Sequence, residues 1–104
     1  IFSKGTLKNF WEVHADSEEA LKTWYEEVND AIWKTPFDVK MVYPKASIVA
    51  NNRVVFNIKG NSYRLIIKLN FDYQMVWIRF IGTHAEYDKI DPETIVSHKS
   101  TKKK

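Results

Sequence analysis

Between Arg53 and Ile81 the chain carries three apolar-rich runs, at 53–59, 62–69 and 74–81, separated only by Gly60-Asn61 and by Asn70 to Tyr73. Runs so rich in Val, Ile, Phe, Tyr and Trp, joined by turns this short, pair as consecutive antiparallel strands. The first turn fixes its register. A two-residue Gly60-Asn61 turn sets Ile58 against Tyr63, Phe56 against Leu65 and Val54 against Ile67. A three-residue turn sets Phe56 against Arg64, and the slip sends every apolar side chain to the wrong face. A four-residue turn at 70–73 then sets Leu69 against Gln74, Ile67 against Val76, Leu65 against Ile78 and Tyr63 against Phe80. On the other face it sets Arg64 opposite Arg79, Ile66 opposite Trp77 and Lys68 opposite Met75.

Upstream the period changes from two to about 3.6. Leu7, Phe10, Trp11 and His14 predict a first helix over 4–14, and Leu21, Trp24, Tyr25, Val28 and Ile32 a second over 17–33 with an acidic outer face. Asp16 followed by Glu19 reads as a box-like start to the second helix. Thr35-Pro36 predicts a cap and first helical residue for a short third helix at 37–42, ending before Pro44. Ile1-Phe2 reads as the end of an edge strand, with the natural start a few residues upstream because no Met stands at position 1. Thr83 reads as the N-cap of a short helix at about 84–90. The fold class is α+β, with an antiparallel sheet whose apolar face is covered by the first two helices. One domain over 1–91 is followed by a loose, polar, Lys-rich tail over 92–104.

The chain of 104 residues has no Cys, which excludes a disulfide scaffold and thiolate metal sites. Its histidines stand at 14, 84 and 98, too few and too scattered for a dedicated zinc site, and no cofactor is implied. No apolar run approaches the ~20 residues of a membrane span, and a soluble, cytoplasmic protein is expected. The formal charge of +3 is misleading as a guide to nucleic-acid binding. Four of the 16 Lys and Arg residues lie in the last six positions, and residues 1–98 hold 12 bases against 13 acids. Within the fold, residues 1–49 are net −2 and residues 50–90 net +3.

That basic excess falls on the second sheet face. Arg53, Asn57, Lys59, Arg64, Lys68 and Arg79 stand there with Val55, Ile66, Met75 and Trp77, and no carboxylate lies among them within the strands. Opposed cations repel unless an anion sits between them. Guanidinium forks suit phosphate oxygens, and Trp77 offers a base a stacking platform. The plainer alternative is a solvated sheet face whose cations meet water or helix carboxylates. His84, directly after the last strand, and Tyr87, one turn on, add an imidazole for proton transfer and a phenol for stacking or proton donation, with Asp88 placed to orient the imidazole. A His-x-x-Tyr pair is also an ordinary structural element, with the imidazole satisfying backbone groups and the phenol packing. His14 continues an apolar helix face and reads as packing. No nucleophile elbow, glycine-rich phosphate loop or pair of carboxylates at a strand end is present.

The runs NNRVVFNIKGNSYRLIIKL (51–69) and VWIRFIGTHAEYDKI (76–90), with WYEEV (24–28) and KTPFDVK (34–40) upstream, resemble the HigB toxins of the RelE superfamily over roughly residues 1–91. The resemblance implies a compact RelE-like fold and the toxin of a type II toxin–antitoxin pair. Such a toxin is a ribosome-dependent endoribonuclease that cuts mRNA in the A site, without a metal, by attack of a 2′-hydroxyl on the adjacent phosphate. It implies that Arg64 stabilises the transition-state phosphate, that His84 and Tyr87 belong to the catalytic region, and that Arg79 and Lys59 contact phosphate. The lysine-rich strand of some RelE-type members has Asn57 and Lys59 in its place. The implied partners are mRNA, the ribosome and a HigA-like helix-turn-helix antitoxin, through which alone the toxin would reach operator DNA. A noncatalytic RNA-binding module using the same face is the alternative, and a scaffold that only binds a partner is a third.

Overall fold

The computed structural model describes Ile1 and residues 4–95, in the order α1 (Lys4–Val13), a 3-10 turn (Ala15–Ser17), α2 (Glu18–Asp30), α3 (Pro36–Val42), β1 (Ser47–Val49), β2 (Arg53–Ile58), β3 (Tyr63–Asn70), β4 (Met75–Thr83) and α4 (His84–Tyr87). Of the expected strand at Ile1-Phe2, Ile1 belongs to no strand and Phe2 lies outside the described residues, as does the end of the expected tail, 96–104. Among the described residues no helix is long and apolar enough to cross a membrane.

The first sheet face and the helices share one core. Leu7 and Phe10 of α1 and Leu21, Trp24 and Val28 of α2 bury against Val54, Phe56, Ile58, Tyr63, Leu65, Ile67, Leu69, Val76 and Ile78. Burial of that many large apolar side chains is the main force holding the layers together. His14 packs as its spacing suggested, its ring stacked 4.4 Å from that of Phe10.

Three helix boundaries differ from the sequence reading, one of them the end of α4, at Tyr87 rather than about 90. The Asp16–Glu19 box does not form. Ser17 precedes α2 without a side-chain cap bond, and its hydroxyl donates to His14 O at 2.7 Å. Asp16 is used elsewhere, accepting from the Tyr63 hydroxyl at 2.5 Å and pairing with Lys59 Nζ at 3.5 Å. Helix α2 also stops at Asp30, because Ala31 is extended and Trp33 is claimed by the sheet. The Gln74 amide accepts from Trp33 N at 3.1 Å and donates to Trp33 O at 2.6 Å. By contrast α3 starts as its sequence indicates, with a reciprocal Thr35–Asp38 capping box and Pro36 at the first position.

The sheet is antiparallel, in the order β1-β2-β3-β4. The strand β1, only three residues long, had too little pattern to be read beforehand. The β2–β3 register is the expected one, with Ile58 on Tyr63, Phe56 on Leu65 and Val54 on Ile67. Lys59 and Gly60 take left-handed φ values of 52° and 65° to make the turn.

The β3–β4 register is corrected. Asn70 pairs with Met75, so the loop is 71–74 rather than 70–73. Gln74, at φ 55°, and the Asn70 side chain, which accepts from Tyr73 N, shape that loop. Ile67 then pairs with Ile78 but Ile66 with Phe80, leaving Arg79 as the extra residue of a β-bulge. Beyond the bulge every side chain of β4 changes face. Phe80, expected in the main core, moves to the second face, and Ile81 takes a core place opposite Leu65. Arg64 faces Gly82, not Arg79.

Candidate active site

The register arranges the second face in three rows across β2, β3 and β4. One row is Asn57, Arg64 and Gly82, the next Val55, Ile66 and Phe80, and the last Arg53, Lys68 and Trp77. The middle row is apolar and buried. Half-buried Tyr87, Ile90 and Ile95 pack against it, so the segment after β4 lies over this face. The expected single open basic surface is therefore divided in two, with Arg64 and Lys68 about 13 Å apart along β3 at ~3.3 Å per residue.

At the Arg64 end the geometry is tight. Arg64 Nη1 donates to Asn61 Oδ1 at 2.7 Å and also to Asn57 Oδ1. Its Cζ lies 5.6 Å from the centroid of the Tyr87 ring, a cation–π contact. Tyr87 is held by α4, which Thr83 starts with a capping box. The Thr83 hydroxyl accepts from Glu86 N at 3.2 Å, and the Glu86 carboxylate accepts from Thr83 N at 2.9 Å. His84, the first residue of that helix, is half-buried, and its Nε2 is shielded from solvent without a hydrogen-bond partner. Asp88 meets His84 through the backbone, its N–H donating to His84 O at 2.9 Å. Gly82, across the ladder from Arg64, is closely packed, since a Cβ there would stand 2.6 Å from Phe80 Cζ and 2.7 Å from Glu86 Oε1.

The other expected contacts are not gathered there. Arg53 is buried, 6% exposed, and its Nη1 donates to Pro92 O and Ile95 O. The described part of the expected tail, 92–95, is thus seated on the sheet, and Asn51 Nδ2 adds a bond to Glu93 O at 3.0 Å. Burial, then the neighbouring charge of Arg79, push the Arg53 pKa down, with Asp91 opposing them. Arg79 belongs at this end, on the bulge. Lys59, sent off the strand by its left-handed φ, pairs with Asp16. The hydrogen bond from Tyr63 and the charge of Lys59 hold the Asp16 carboxyl below its usual range, and the same hydrogen bond raises the Tyr63 phenol. Among the described residues no three His, Asp or Glu side chains cluster as metal ligands.

Two members of the site escaped the sequence reading as functional residues. Asn61 and Gly82 were legible as a turn residue and a strand end, and as letters of the runs at 51–69 and 76–90, but in no functional role. The available signal was their spacing, three residues before Arg64 and two before His84.

The sequence profile of the HigB toxin, the RelE-like toxic component of a toxin–antitoxin system, matches residues 17–90. The chain belongs to this family. It is 26% identical over 92 residues to an Escherichia coli mRNA interferase HigB, covering 86% of this chain and 89% of that one. A Shigella flexneri mRNA interferase HigB is 27% identical over 90 residues, covering 85% and 86%. The HigB-type, RelE-like assignment drawn from the motifs is borne out, as is the α+β fold with its short helix after the last strand. As the toxic half of a toxin–antitoxin system, the HigB family comes with an antitoxin partner.

Proposed function

We propose that this chain is an mRNA interferase, an endoribonuclease that cuts messenger RNA in the ribosomal A site and so stops translation. The names of its relatives support the activity. The observation that carries it is Arg64, a guanidinium held by two neutral amides over the Tyr87 ring, one helical turn from His84. Neutral acceptors leave its charge available to an anion, where carboxylates would neutralise it.

The chemistry that fits is transfer within the RNA. A 2′-hydroxyl attacks the adjacent phosphorus, its proton leaves to a base, and the bond from phosphorus to O5′ breaks as O5′ takes a proton. The products are a 2′,3′-cyclic phosphate and a 5′-hydroxyl. Arg64 stabilises the charge on the phosphorane oxygens. His84 moves the proton. Tyr87 stacks on a base or donates a proton. Lys68, Trp77 and Arg79 sit at the far end of the same face, where the strand would continue. Arg53 and Lys59 reach RNA only by leaving their carbonyl and Asp16 partners. The ribosome holds the message, the side chains alone carry the reaction, and a HigA-like helix-turn-helix antitoxin restrains the toxin and links it to operator DNA.

The test is to map mRNA 5′ ends after induction of wild type, Arg64→Ala and His84→Ala. Loss of one charge-stabilising group commonly costs ~2.7–4 kcal/mol of barrier, so Arg64→Ala is expected to abolish new 5′ ends and growth inhibition while the protein stays folded. Full toxicity in Arg64→Ala rejects the role of that residue. RNA binding without new 5′ ends in wild type points to the noncatalytic module instead.

A further inference from the structure

We propose that Asn57 and Asn61 are positioning residues, whose amide oxygens hold the Arg64 guanidinium by one nitrogen and aim the rest of its fork at an RNA phosphate. This rests on the nuclease reading for its substrate, but the clamp itself stands on geometry. Asn57 lies directly across from Arg64 on β2, and Asn61 lies in the β2–β3 turn, three residues before it. Both bonds fall on the same atom, Nη1. The Tyr87 ring lies against the guanidinium, its centroid 5.6 Å from Arg64 Cζ. Two bonds and an aromatic contact fix the position and tilt of a group on a long, otherwise mobile stem.

The chemistry also fixes which way each amide points. A guanidinium has donors only, so each asparagine must present Oδ1 to it and turn its NH2 group away. Both amide oxygens are therefore committed to Arg64, whose other guanidinium donors are the ones offered to phosphate oxygens. The neighbouring carboxylates are engaged elsewhere, Glu86 with Thr83 N and Asp16 with Tyr63 and Lys59. Asparagine at these two positions does what aspartate could not, since it holds the cation without cancelling it.

The experiment uses the full chain with Asn61→Ala, Asn57→Ala and the pair, each in wild-type and Arg64→Lys backgrounds. Asn61 is not among the residues with left-handed φ, so alanine brings no backbone strain there. Rotation of the Arg64 guanidinium, followed by nitrogen-detected NMR, is expected to be slow in wild type and fast in the double variant. Single-turnover cleavage of ribosome-bound mRNA is expected to fall roughly 10- to 100-fold, as misplacement of a reacting group allows, with binding of a 2′-O-methyl RNA changed by no more than about twofold. That loss should vanish in the Arg64→Lys background, where there is no fork to aim. A guanidinium that rotates as slowly in the double variant overturns the clamp, as does an equal loss of cleavage in Arg64→Lys. A wild-type protein that cuts no RNA sinks the nuclease reading, and the NMR result then decides the clamp alone.

Discussion

Gly82 lies directly across the β3–β4 ladder from Arg64, at a place where only glycine fits. The reason is steric, since a Cβ would meet Phe80 Cζ at 2.6 Å and Glu86 Oε1 at 2.7 Å. Gly82→Ala should displace Phe80 from the second core or pull Glu86 off Thr83. Overpacking of this kind costs about 1–3 kcal/mol, measurable by urea unfolding, and toxicity should fall with it.

Thr83 has a separable role. It caps a helix of only four residues that carries both His84 and Tyr87. Thr83→Ala should cost ~1 kcal/mol, the usual worth of a cap, and loosen Tyr87 from Arg64. Hydrogen exchange at Glu86 N, the amide bonded to Thr83, should speed up while the core strands keep their protection. Thr83→Ser should restore both.

The Asp16–Tyr63 bond gives a pH signature. Asp16 is held below its usual pKa in the folded chain, chiefly by the Tyr63 hydroxyl and then by Lys59. A depressed carboxyl stabilises the fold fully above its unfolded value of about 3.9. That contribution is lost as pH falls through the lower folded value. Tyr63→Phe should move the Asp16 carboxyl, followed by NMR, upward toward the ordinary range. The acid limb of stability should flatten accordingly. An unmoved Asp16 would assign the shift to Lys59 instead.

Arg53 ties the segment 92–95 to the sheet. Arg53→Ala removes two part-buried hydrogen bonds from a charged donor to the Pro92 and Ile95 carbonyls, bonds of a kind worth about 1.5–3 kcal/mol each. Amide exchange at Thr94 and Ile95 should rise selectively, since their bonds to Asp91 O belong to the same turn. Unchanged exchange there would mean that Ile90 and Ile95 alone hold the segment down.

The core and the first hairpin were legible because burial leaves a period in the sequence. Alternation through Val54, Phe56 and Ile58 and from Tyr63 to Leu69 admits one register, and slipping it by a residue would put an arginine in the core. Arg64, His84 and Tyr87 could be singled out because their chemistry is rare in this chain and falls where the strands end. Asn61 and Gly82 could not, because each looks like an ordinary turn or strand-end residue until its neighbours in space are known.

What the amino-acid order determined by itself was which residues of β2 and β3 face the helices, where the short helices start, and that Arg53, Arg64 and Lys68 share one sheet face. Whether those cations act together was decided by tertiary structure. The bulge at Arg79 rotates β4 by one residue, places Phe80 over Ile66, and so puts a dry row between Arg64 and the pair Arg53 and Lys68. A bulge of this kind is chosen by the packing of both faces at once, Ile81 inward and Phe80 outward, and no local pattern along β4 records it. The same holds for Arg53, whose exposure was set by a segment about forty residues further along the chain.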